Sequence, residues 1–154
     1  MQPEFERLVT GIDRTKSVRS VVLETGFELG GAGKEFVHKV PCGEGDTVRL
    51  VFFQPDWDNM PRGGISSEEI EEEFARRSLR PDPRAHIRLI GLEPELALQC
   101  PSVSIWCYED RWYSLIFRYR SDEPDAPKYA LLVCRPRKWT NNRIWFCGVR
   151  EIVS

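Results

Sequence analysis

Two runs rich in aromatic and β-branched residues, Val103 to Tyr108 and Trp112 to Arg120, flank Glu109-Asp110-Arg111, a polar connection of hairpin length. That composition around a short polar break predicts a β-hairpin. In the second run Tyr113, Leu115, Phe117 and Tyr119 share one face, and Trp112, Ser114, Ile116 and Arg118 share the other, because successive strand side chains point to opposite sides. Both faces carry apolar mass. The pattern predicts a central hairpin, covered on one side and partly covered on the other.

The pattern elsewhere builds around that hairpin. Thr47 to Gln54 reads as a strand. Ser20 to Leu29, with Val21-Val22-Leu23 inside it, predicts a strand or extended arm, and Phe36 to Val40 another strand. Pro3 to Thr10 predicts a short helix with Phe5, Leu8 and Val9 on one side. Ser66-Ser67-Glu68-Glu69 is a capping box: the Ser66 hydroxyl takes a free amide proton and the glutamate three residues on reaches back. The acidic first turn suits the positive end of a helix dipole. This helix runs to about Ser78 and turns Ile70 and Phe74 to the core. Asp82-Pro83 starts a second helix, with aspartate as cap and proline at the first helical position. Glu95 to Gln99 adds a helical turn before Pro101. Tyr129 to Cys134 and Arg143 to Val153 read as the last strands.

Strands, then two helices, then a four-stranded meander predict an α+β fold. The expected architecture is a largely antiparallel twisted sheet, with two helices packed on one face and a C-terminal meander. No repeat or linker divides the chain, so residues 1–154 are expected to form a single domain.

Composition narrows the function classes. The chain is 41% hydrophobic and 30% charged, which is globular rather than disordered. A net charge of −2 carries no global nucleic-acid signature, yet Ser102 to Ser154 holds nine Lys/Arg against six Asp/Glu. No apolar run reaches the roughly 20 residues needed to span a bilayer. Met-Gln-Pro-Glu-Phe-Glu-Arg lacks the regions of a signal peptide, so a cytoplasmic protein is the expectation. The five cysteines are odd in number and widely spaced, which argues for reduced thiols over a disulfide framework.

Ser66 to Pro81, ending Arg77-Ser78-Leu79-Arg80-Pro81, together with Leu96, Pro101, Trp106, Trp145, Phe146 and Val149, carries a resemblance. The stretch resembles uncharacterised small bacterial α+β proteins with an Arg-Gly-Leu-Arg-Pro-like helix end. Ser78 stands where that pattern has glycine. The resemblance implies a shared α+β domain and brings no known activity.

Each motif with chemical content has a plain alternative. Gly30-Gly31-Ala32-Gly33-Lys34 approaches a phosphate loop, but Glu35 occupies the place of the required Ser/Thr, and a strand connection is the better reading. His38 and Cys42 are the one closely spaced base and nucleophile, and define a cysteine-enzyme alternative. The scattered cysteines lack paired zinc-ligand spacing. No cofactor is expected. Glu68, Glu69, Glu71, Glu72 and Glu73 form a solvated helix face, or an acidic docking face for a basic partner.

The basic loop is the most suggestive segment. Arg135, Arg137, Lys138 and Arg143 surround Trp139, with no acid among them. Cations neutralise phosphates and an indole stacks on an unpaired base; Trp and Arg are also favoured at protein interfaces. Trp57 and Met60 sit in a second long loop, either as a contact site or folded back as a lid on the sheet. The leading expectation is a non-catalytic module that binds a protein partner through Trp139, Arg135, Arg137, Lys138, Arg143 and Trp57. Nucleic-acid binding through residues 135–143 is the alternative, and a homodimer fits an exposed apolar sheet face.

Overall fold

A computed structural model describes residues 4–30, 36–57, 64–119, 128–134, 138–140 and 143–150. Its strands are β1 (Glu4–Val9), β2 (Glu28–Leu29), β3 (Val48–Phe53), β4 (Ile65–Ser66), β5 (Leu79–Arg80), β6 (Ser102–Tyr108), β7 (Arg111–Tyr119), β8 (Lys128–Cys134), β9 (Lys138–Trp139) and β10 (Trp145–Arg150). The helices are α1 (Val18–Glu24), α2 (Ser67–Arg76), α3 (Pro83–Leu92) and α4 (Leu96–Gln99). Among the described residues, eight strands form one sheet in the order β1-β3-β10-β6-β7-β8-β2, with β5 paired to β10 beside that path. The β10–β6 and β8–β2 contacts are parallel and the others antiparallel. The fold is thus α+β on a mostly antiparallel sheet.

The central hairpin forms with Tyr108 opposite Arg111 and Ser102 opposite Phe117. The loop is Glu109-Asp110 alone, and Arg111 belongs to β7. Both loop residues take positive φ, 49° and 62°, as a two-residue turn matched to strand twist requires. β6 pairs with β7 and β7 with β8, in chain order. The last strand, β10, lies instead on the far side of β6, between it and β3. Gly148 explains part of that placement. A Cβ there would come within 2.9 Å of the Arg80 carbonyl and 3.0 Å of the Phe74 ring, so glycine lets β5 and α2 close on β10.

The helices divide between the two sheet faces, which corrects the expectation of one helical face. Alternation along β3 and β10 sends Val48, Leu50, Phe52, Cys147 and Val149 toward Ala85 and Leu89 of α3. On the same side, Trp106, Tyr113, Leu115 and Phe117 meet Val18 and Val22 of α1 and Ile87 and Ile90 of α3. Val51, Phe53, Val103, Ile105, Ile116 and Phe146 face the other way, onto Ile70 and Phe74 of α2. Apolar residues at both strand parities require a cover on each face.

Three local expectations change. Within the segment read as a helix, Pro3 to Thr10, Glu4–Val9 is strand β1, because it pairs with β3 from Glu4↔Phe53 to Val9↔Val48 and stacks Phe5 on Phe52 at 4.8 Å. The Val21-Val22-Leu23 run is helical, because Ser17 caps it by accepting from Ser20 N and because Val18 and Val22, one turn apart, bury together. Only Glu28–Leu29 of that segment is a strand. Val37–Lys39 is a single 3-10 turn. The capping box is present with both hydrogen bonds, and α2 ends at Arg76; just past its Arg77 cap, Ser78 takes a left-handed φ of 56° where glycine is usual.

Candidate functional site: a cleft beside the central hairpin

Two polar centres lie under α3. Arg14 donates all of its guanidinium hydrogen-bonding capacity: two bonds to the Asp82 carboxylate at 2.6 and 2.9 Å, and one each to the carbonyls of Cys42, Glu44 and Gly45. Asp82 is 1% exposed and also caps α3 through Ala85 N. One turn on, His86 is fully buried. Its Nδ1 lies 2.8 Å from Ser104 Oγ and its Nε2 2.7 Å from Ser102 Oγ. Ser104 Oγ is 3.5 Å from Cys147 Sγ.

A thiol, hydroxyls and an imidazole in a chain look like nucleophile chemistry. Their electrostatics say otherwise. Burial pushes His86 down to about 3 and Cys147 up to about 12, so the imidazole is neutral and the sulfur a protonated thiol at neutral pH. Ser102, Ser104, His86 and Cys147 are each 0% exposed. The network satisfies buried polar atoms rather than meeting a substrate.

The residues singled out from the sequence fall into three groups. Arg135 and Arg137 lie outside the described residues, as does Met60. Lys138 and Arg143 are exposed. Trp139 is not the exposed loop aromatic expected: it is 1% exposed and edge-on to Phe146, ring centroids 5.4 Å apart. It sits there because Ile65 pairs with Trp139 and Ser66 with Lys138, tying the basic segment to the start of α2. Trp57 is half-buried against the same cluster, as a lid on the α2 face. The two tryptophans therefore lie on one side of the sheet. The Cys42 thiol donates to the Arg14 carbonyl at 3.6 Å, and exposed His38 sits on the 3-10 turn.

The accessible concavity on the α2 face is elsewhere. A cleft of about 210 Å³ opens between α2, β5 and the hairpin, with Phe74, Leu79, Ile105, Cys107 and Trp112 on its walls and Glu71 and Arg80 among its charged residues. It exists because β10 stays beside β6 only at Ser102 and Val103, then turns to pair with Leu79 and Arg80 of β5. Beyond Val103, β6 pairs with β7 alone among the described residues. The register decides which groups are free. Tyr108 and Arg111 flank a two-residue loop and so exchange hydrogen bonds, as do Trp106 and Ser104 with their partners. The alternate residues, Ile105 and Cys107, direct N–H and C=O away from β7. The Trp145 amide confirms the parity by donating to the Pro101 carbonyl at 2.9 Å.

Carboxylates surround the outer end of the cleft. Glu68 accepts from Trp112 Nε1 at 3.1 Å. Cys107 is exposed, and its thiol is held up by partial desolvation and then by the carboxylates of Glu71, Asp110 and Glu68. A thiol raised in this way is a poor nucleophile. Among the described residues no cluster of three His, Cys, Asp or Glu is placed to hold a metal ion, and no helix is long and apolar enough to cross a membrane.

Sequence reasoning found Glu68 and Glu71 as a face but missed Arg14, His86 and the cleft. The signals for His86 were its one-turn spacing from Asp82 and the alternation of Ser102 with Ser104. The cleft had no local signal, since it follows from strand order. Comparison of the chain with protein-family models, with curated proteins and with solved structures finds no match.

Proposed function

We propose that this chain is a non-catalytic protein-binding domain, which takes an extended segment of a partner protein into the α2–hairpin cleft as an added strand on β6. The observation that carries this reading is the side of β6 at Ile105 and Cys107 that is unpaired among the described residues, next to an apolar cleft. Strand addition uses such an edge for affinity and adjoining pockets for side-chain selection. The sealed state of the His86 network supports a binding role over a catalytic one. Five unbonded thiols suit a reducing compartment such as the cytoplasm. The burial of Trp139 removes the indole from any base-stacking surface, so the basic loop is not the preferred site.

The test uses two variants that spare the fold. Cys107→Pro removes an amide that faces the cleft and not β7, a position where an edge strand tolerates proline. Ala75→Gln fills the cleft from an exposed position on α2. Affinity capture from a lysate of the source organism, with nuclease present, is expected to recover a stoichiometric protein on the wild type. Both variants are expected to lose it while keeping wild-type circular dichroism. A partner retained equally by both variants would place the interface elsewhere and overturn the proposal.

A further inference from the structure

We infer that the segment received by the cleft carries an apolar side chain followed, two residues along, by a lysine or arginine. The inference rests on the strand-addition reading and adds the chemistry of the partner. A strand laid along β6 presents every second side chain to the α2 side of the sheet. Opposite Ile105 such a side chain enters the apolar part of the cleft, against Phe74 and Leu79. Opposite Cys107, two residues and about 7 Å along, it reaches the outer end. There the surroundings change from hydrocarbon to carboxylate: Glu71, Asp110 and Glu68 are the charges that act on the Cys107 thiol.

These carboxylates are available to a partner. Glu71 and Asp110 have no cation within ion-pair distance among the described residues, and Glu68 is held by the neutral indole N–H of Trp112. By contrast the glutamates on the far side of α2 and on β1 are neutralised internally, Glu73 by Arg76 and Arg77, and Glu4 by Arg77 and Arg150. Arg80 is the one cation on the cleft wall among the described residues. Arg111 falls on the opposite face of β7 from Trp112. Complementary charge of this kind selects partners and speeds their capture more than it adds bulk affinity, so the cation is a specificity element on an apolar anchor.

The experiment uses synthetic peptides of strand length that share a Val-Thr core and differ at the next residue, lysine in one and glutamate in the other. Fluorescence anisotropy at low salt is run on the wild type, on Cys107→Pro, and on the triple variant Glu68→Gln, Glu71→Gln, Asp110→Asn. The lysine peptide is expected to bind the wild type about tenfold more tightly than the glutamate peptide. The gap is expected to close in the triple variant and to narrow with added salt. Equal binding of the two peptides to the wild type, with both lost in Cys107→Pro, would overturn the charge selection and leave strand addition standing. No binding of either peptide would remove the strand-addition reading and this inference together.

Discussion

The region under α3 and the cleft beside the hairpin divide chemistry and access between them. Under α3 the chain assembles an arginine, an aspartate, a histidine, two serines and a cysteine, and buries all of them but the half-buried arginine. At the cleft it leaves a strand edge and three carboxylates exposed. Reactive residue types are therefore no guide to function unless a substrate can reach them. In this fold the polar network lies inside the architecture, and the chemically quiet surface is the one we propose as the partner site.

This contrast can be broken most sharply at Arg14. Arg14→Met strands the Asp82 carboxylate, 1% exposed, without its counter-charge. The expected loss is about 3–5 kcal/mol, read from urea unfolding. A change below about 1 kcal/mol would mean that the sealed region does not hold the fold.

A second test uses pH. The native imidazole of His86 stays neutral down to about 3, while in the unfolded chain it takes a proton near 6.5. The unfolded state therefore binds more protons between those values, and stability falls as pH drops through that window, by up to about 1.4 kcal/mol per unit. Above 6.5 this contribution is constant. His86→Gln is expected to flatten the urea-midpoint profile between pH 7.5 and pH 5. An unchanged profile would show that His86 is not the group responsible.

Smaller effects sharpen the comparison from the other side. Ser78→Gly relieves a left-handed φ of 56° at the end of α2 and is expected to stabilise by about 1 kcal/mol in thermal unfolding. At the cleft, Glu71→Gln and Asp110→Asn are expected to leave stability within about 0.5 kcal/mol while still impairing partner capture. A large stability loss there would make the carboxylates structural and erase the distinction between the two regions.

The elements legible in the sequence were those whose signals are local. Ser66 and Glu69 mark α2, Asp82 and Pro83 mark α3, and the alternation of Tyr113, Leu115 and Phe117 marks β7. What was not legible depends on contacts between distant segments. Val21 and Val22 favour a strand by type, and the Ser17 cap with burial against α3 makes them helical. Phe5 looked like a helix face until β3 paired with it. Trp139 looked exposed because its neighbours are charged, and its backbone pairing with Ile65 drew it inward. The cleft was hidden for the same reason: no residue near Ile105 states that β10 will leave β6 after Val103.

That late strand also has a consequence during synthesis. β10 is the last described strand to emerge from the ribosome, yet it occupies the middle of the sheet, between β3 and β6. Until it arrives, the β1–β3 pair and the β6–β7–β8 meander are separate pieces, each with an unsatisfied edge. Pairings so far apart along the chain form slowly and leave edges exposed to aggregation. For as long as that central seam is missing, the edges of β3 and β6 stay open to wrong pairings.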